Sequence, residues 1–202
     1  MKATILNLFL FCSLNTVLAQ PNGYENSIKE YRSELQQEFL DTAETPLTNE
    51  GLKIFEGLDY FIIDSVYRVS ASLIRTLDEK IFEMKTSTDR LPEYLKYGLA
   101  EFTLNGKKLK LNVYQNVKLA ENEEYKDYLF VPFRDFTSNE STYGGGRYIE
   151  TKIPEGDILI IDFNKAFNPY CAYNPKYSCP IPPLENTLEI AIKAGEKSYS
   201  KH

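Results

Sequence analysis

The stretch Leu99-Ala-Glu-Phe-Thr-Leu-Asn-Gly-Lys-Lys-Leu-Lys-Leu-Asn-Val-Tyr114 decides the fold. Two alternating runs flank Asn105-Gly106, a pair that readily takes the positive φ angles of a type I′ turn, so the spacing predicts a two-residue β-hairpin. In that register Phe102 faces Leu109 and Ala100 faces Leu111, which leaves Glu101, Thr103, Lys108 and Lys110 on the opposite face. One side of the hairpin belongs to a core and the other to solvent.

Working outward, short runs rich in Val, Ile, Tyr, Phe and Thr predict further strands at 62–70, 72–77, 81–85, 128–134, 147–152, 158–163 and 188–192. Short strands joined by short turns favour antiparallel pairing over a parallel α/β sheet. Upstream, Ile28, Tyr31, Leu35, Phe39 and Leu40 recur at spacings of three and four among charges, the period of an amphipathic helix. Thr45-Pro46 ends that helix, and Thr48 is placed to cap a short turn containing Leu52, Ile54 and Phe55. The expected fold is therefore mainly β within the α+β class. It is an antiparallel β-barrel or sandwich with an N-terminal amphipathic helix and a long ordered loop rich in Pro, Tyr and Cys.

Residues 1–19 read Met-Lys, an apolar body from Ala3 to Phe11, and Val17-Leu18-Ala19 before Gln20. A positive head, a short apolar body and a small residue at the cut form the secretory pattern, which predicts a signal peptide and a periplasmic or secreted location. The apolar run is too short for a transmembrane span, so none is expected after cleavage. Residues 20–202 are then expected to be a single β-rich domain. Loss of Lys2 leaves 22 basic against 29 acidic side chains in that mature portion. An acidic balance argues against nucleic acid as partner, because phosphate contacts need clustered Lys and Arg.

The only histidine is His202, the last residue. Ser-His-Asp and Cys-His catalysis lack a base, and His-ligated metal sites lack their ligands, so neither a metal nor another cofactor is expected. Carboxylates, Tyr, Arg, Lys, Cys and backbone amides remain. Phe133-Arg134-Asp135-Phe136-Thr137 ends one strand and Thr142-Tyr143-Gly144-Gly145-Gly146-Arg147-Tyr148 opens the next. Three glycines allow amide N–H groups to line a concavity, and flanking arginines suit a carboxylate or phosphate. The alternative is a hairpin loop whose arginines pair with Asp135 and Asp162. Asp162 follows an apolar strand, where a carboxylate either titrates usefully or caps the next turn.

Between Asn168 and Pro183 lie five of the ten prolines, Tyr170, Tyr173 and Tyr177, and the two cysteines left after leader cleavage, Cys171 and Cys179. A loop of that length in a compact domain is uncommon and often functional. The cysteines are read either as a disulfide or as two buried thiols.

At these residues the chain closely resembles the bacterial and archaeal family catalogued as domain of unknown function 1684. The matching text is Leu129-Phe-Val-Pro-Phe-Arg-Asp135, Thr142-Tyr-Gly-Gly-Gly-Arg-Tyr148, Asp162-Phe-Asn-Lys-Ala-Phe-Asn-Pro-Tyr-Cys-Ala-Tyr-Asn174, Cys179-Pro-Ile-Pro-Pro-Leu-Glu-Asn186 and Ala194-Gly-Glu196. Thr45-Pro-Leu-Thr48 and Gly57-Leu-Asp-Tyr-Phe61 extend the resemblance over most of the mature chain. It implies one domain and one polar site, and no known activity.

The leading expectation is a pocket for a small polar or anionic molecule. Arg134, Thr137, Tyr143, Arg147 and the Gly144, Gly145 and Gly146 amides form one wall, and Asn164, Asn168, Tyr173, Glu185 and Asn186 the other. A metal-independent hydrolase or lyase using Asp135, Asp162 or Glu185 as acid and base is the second reading. A structural module of the envelope is the third.

Overall fold

At Asn105 and Gly106 the chain takes φ angles of 50° and 75°, the double positive φ that the hairpin requires. The structure is a computed structural model and describes residues 22–199, so the expected leader and His202 lie outside the described residues. Around the hairpin run β1 (Arg68–Arg75), β2 (Phe82–Glu83), β3 (Glu93–Leu104), β4 (Lys107–Asn116), β5 (Tyr128–Phe133), β6 (Arg147–Lys152) and β7 (Ile158–Asp162). They form one antiparallel sheet in the order β6-β5-β4-β3-β1-β7, with β2 paired to β3. The sheet curls into a half-barrel. Among the described residues the helices are few: α1 (Asn22–Leu40), α2 (Asn49–Ile54), the short α3 (Val117–Ala120) and single 3-10 turns.

Phe102 pairs with Leu109 and Ala100 with Leu111, the register expected from the turn. Three strand assignments change. Residues 62–77 carry one strand rather than two, because Asp64 accepts a hydrogen bond from the Val66 amide and turns Ser65–Tyr67 into a 3-10 helix. Strand β3 begins earlier than the alternation suggests, with its register shifting between Lys96 and Gly98. A Cβ on Gly98 would lie 2.7 Å from the Ile74 carbonyl oxygen, so only glycine lets β1 and β3 close there. Residues 188–192 are extended but are not a strand. Leu188, Ile190 and Ile192 still alternate into the core, but their backbone is held by the Arg134 and Phe136 backbone, Asp135 and Arg147 rather than by a neighbouring strand.

One sheet face buries Leu111, Val113, Leu129, Val131, Phe133, Ile149 and Phe163 beneath the 188–194 segment. The other face carries Tyr94, Tyr114, Phe130 and Tyr148, packed against Met84, Phe167 and Cys179. A third cluster joins Phe39 of α1 to Leu47, Ala172 and Tyr173. Period-two alternation along β5 and β6 thus gives the sheet two apolar faces, and the second is only partly roofed by the 167–183 loop. Among the described residues no helix is long and apolar enough to cross a membrane.

Candidate ligand-binding cleft

Along β6 the sequence Arg147-Tyr-Ile-Glu150 sends Arg147 and Ile149 to one face and Tyr148 and Glu150 to the other. On the first face the Arg147 guanidinium is 1% exposed and fully enclosed. Nη2 donates to Asp135 Oδ2 at 2.9 Å and to the Ile192 carbonyl at 2.9 Å, and Nη1 donates to the Ala194 and Glu196 carbonyls. Asp135 Oδ1 in turn accepts from the Thr137 amide, the Thr137 hydroxyl and the Ile192 amide. Arg147 and Thr137, expected in an anion receptor, and Asp135, expected as an acid or base, are thus bonded to one another inside the fold. Their polar groups bond one another and pin the C-terminal segment, because an unpaired charge in that apolar interior would be costly; Arg147 Nε is left without a partner among the described residues.

The glycine run serves the same packing. Gly146 has a φ of 95°, and a Cβ there would meet the Phe133 carbonyl oxygen at 2.6 Å and Pro182 at 2.7 Å. Its amide closes a turn onto the Tyr143 carbonyl. Gly144 lies against Asn139 and Gly145 against the Tyr143 ring. Arg134 is half-buried, and its Nη1 donates to the Pro182 carbonyl at 3.3 Å.

The remaining expected residues separate into distinct places. Asp162 caps the 3-10 turn Phe163–Lys165 and accepts from the Tyr24 hydroxyl, while the Asn164 amide bridges Asp162, Tyr24 and Asp64. Asn186 binds both backbone groups of Asn112 and the Pro132 carbonyl, fixing the loop to β4 and β5. Glu185 lines a hollow of about 540 Å³ beside the hairpin, whose polar wall is made of exposed Lys and Glu side chains. Cys171 and Cys179 are free thiols. The Cys171 amide donates to Cys179 Sγ at 3.2 Å, and the Tyr143 hydroxyl lies 3.8 Å from Cys171 Sγ. Hydrogen bonding with Cys179, aided by Tyr143 and Ser87, draws the Cys171 thiol down to about 6.

Asn168 and Tyr173 do converge, on a residue the sequence did not single out. Glu196 Oε1 accepts the Tyr173 hydroxyl, and Oε2 accepts the Asn168 amide at 2.9 Å. Burial raises the Glu196 carboxyl to about 7 against those hydrogen bonds.

The open chemistry lies on the other face. Tyr94, Tyr128, Phe130, Tyr148 and Glu150 stand on the strands, and Phe167, Tyr170 and Tyr177 come from the loop, around a cleft of about 410 Å³. Its rings are held by contact with each other. Phe130 and Tyr148 meet edge to face at 4.7 Å, Tyr148 and Phe167 at 5.9 Å, and Tyr170 and Tyr177 at 5.3 Å. Reciprocal backbone bonds between Tyr148 and Phe167, and the Tyr148 hydroxyl on the Pro180 carbonyl, latch the loop to the sheet. Glu150 is solvent-accessible yet walled by these groups, and desolvation raises its carboxyl pKa, opposed by a 2.7 Å hydrogen bond from the Tyr128 hydroxyl. Desolvation also raises the phenol pKa values of Tyr128 and Tyr148, which keeps both neutral.

The signal for this cleft was present in the alternation. Tyr128, Phe130, Tyr148 and Glu150 all occupy strand positions opposite to the core set, which a single buried face would have filled with solvated side chains. The expectation of one apolar face hid it.

A family model described as protein of unknown function (DUF1684) matches residues 53–197. A solution NMR structure of an uncharacterised protein of Haloarcula marismortui is 34% identical, with a TM-score of 0.69, over 89% of this chain and 96% of that one. A search of curated proteins finds no match.

Proposed function

We propose, from the premise that this chain belongs to the family described as protein of unknown function DUF1684, that it binds a small organic molecule in the aromatic cleft beside Glu150. One observation carries this reading: an open, ring-lined hollow on a sheet face ends at a carboxyl group that accepts a hydrogen bond from Tyr128. Ligand pockets combine apolar and aromatic walls with a few placed polar groups, and this cleft has that make-up. Its volume suits a molecule of one or two rings.

The leader-like residues 1–19 support a periplasmic or secreted site of action, with residues 20–202 acting as one unit. Binding is favoured over acid–base turnover because Asp135 and Asp162 are saturated within the fold and Glu185 lies away from the cleft. The envelope-module reading explains the Arg147–Asp135 staple but not an open aromatic wall.

Titration with benzyl alcohol, a ring bearing one hydroxyl, tests the proposal by NMR of the aromatic side chains. Saturable shifts confined to Tyr94, Tyr148, Phe167 and Tyr170 are expected. Non-saturating shifts, or shifts centred on exposed rings such as Tyr125 and Phe136, would overturn it.

A further inference from the structure

A second, smaller hollow of about 170 Å³ adjoins the cleft and shares Glu150, Phe167 and Tyr170 with it. Here the wall is completed by Glu38 and Tyr31 of α1, by Asn168 and by Glu196. Neither hollow is lined by a lysine or an arginine. The ionisable groups that act on Glu150 include Glu38 and Tyr31 on α1, Tyr94 on β3, Tyr128 on β5 and Tyr170 on the loop, while Lys152 stands two residues along β6 opposite Tyr128 and outside both hollows.

Asn168 supplies an independent sign of a missing donor. The residue is 1% exposed, its Nδ2 donates to the Lys197 carbonyl at 2.8 Å, and its Oδ1 has no hydrogen-bond partner among the described residues. The Nδ2 bond fixes the amide orientation, so the orphaned atom is an acceptor. A buried acceptor without a donor is costly, and this one sits on a residue that walls the smaller hollow.

Resting on the cleft proposed above as the ligand site, we propose that the ligand is an organic ammonium cation. Its hydrocarbon or ring body lies among Tyr94, Tyr148 and Phe167, and its N–H groups point to Glu150, towards the smaller hollow that Asn168 helps to wall. Aromatic faces attract cations through their quadrupoles, and the adjoining carboxylate supplies the countercharge. A bare metal ion is the poorer fit: among the described residues, no three His, Cys, Asp or Glu side chains are close enough to hold one.

Desolvation raises the Glu150 pKa and the nearby Glu38 carboxylate adds to it, against the Tyr128 hydrogen bond. An ammonium ligand opposes that shift by favouring the ionised carboxylate, whereas a neutral ligand does not.

Three probes with one body and different heads test this: benzylammonium, benzyl alcohol and benzoate, titrated into the full mature chain by NMR. Benzylammonium is expected to bind about tenfold more tightly than the alcohol, and benzoate more weakly than both. Glu150→Gln, which keeps the Tyr128 partner, is expected to erase the ammonium advantage, bringing benzylammonium to the affinity of the alcohol for the same variant. Tyr170→Leu on the cleft rim is expected to weaken both, with circular dichroism reporting that both variants are folded. Equal or tighter binding of benzyl alcohol or benzoate at the same rings overturns the ammonium assignment and leaves the small-molecule cleft standing. No saturable shift at those rings with any probe overturns both.

Discussion

Arg147 donates to Asp135 at 2.9 Å, and both side chains are 1% exposed. The pair lies between β6 and the C-terminal segment, so the residue that most resembles an anion receptor in the sequence is part of the interior frame. Removing the guanidinium leaves Asp135 Oδ2 and the Ile192, Ala194 and Glu196 carbonyls without the donor that Arg147 supplies. Arg147→Met is expected to destabilise the protein by about 3–5 kcal/mol, and Arg147→Lys by less but still measurably, because an ammonium cannot span the same acceptors. Urea unfolding followed by circular dichroism measures both. An unchanged midpoint for Arg147→Met would remove the staple from the account.

Glu196 makes stability depend on pH in a direction opposite to that of an ordinary ion-paired carboxylate. Its folded pKa is raised from 4.5 to about 7, chiefly by burial. Below 4.5 both folded and unfolded chains hold the proton. As pH rises from about 4.5 to about 7 the unfolded chain ionises first, so this group's contribution is progressively lost, on the order of 3 kcal/mol in all. Glu196→Gln mimics the protonated form. The variant should gain on the wild type as pH rises through this window, and parallel stability profiles across it would refute the assignment.

The thiols give a chemical prediction. Cys171 titrates at about 6 while Cys179 is pushed up, through their mutual hydrogen bond. Iodoacetamide should therefore modify Cys171 first, with a rate that climbs through about pH 6 rather than near the ordinary thiol value. Mass mapping of the labelled site checks this. The disulfide reading of the same pair predicts a loss of two hydrogens in protein recovered from an oxidising compartment, and a gain of about 2–3 kcal/mol over the reduced form.

Asn186 satisfies three backbone groups on β4 and β5 with one side chain. Asn186→Ala should cost about 2–4 kcal/mol, because the Asn112 and Pro132 groups are left without partners. Asn186→Asp should fail as well, since an acid cannot donate to both carbonyls. Thermal melts compare the three proteins, and a loss below about 1 kcal/mol for Ala would show that water replaces the amide.

What the sequence made legible was local. Asn105-Gly106 dictated its turn through φ, Thr48 capped α2 through one hydroxyl, and alternation assigned Phe102 and Ala100 to the core. What it hid was relational. Arg134, Arg147 and the glycines invite one pocket when read along the chain. In space, the alternation of β6 sends Arg147 to the closed face while Tyr148 and Glu150 reach the open one. Leu188, Ile190 and Ile192 have the pattern of a strand, but their backbone partners are the side chains of Asp135 and Arg147 and backbone groups outside the strands. No propensity reports such partners, because they are brought from more than 40 residues away.

Uptake of a ligand by the ring-lined hollow beside Glu150 is the central property to be tested. Intermolecular nuclear Overhauser effects between benzylammonium and the protein measure this most directly. Contacts are expected from the probe ring to Tyr148 and Phe167 and from its methylene to the Glu150 side chain. Contacts instead to Leu109 and Leu188, in the hairpin hollow that contains Glu185, would contradict that expectation.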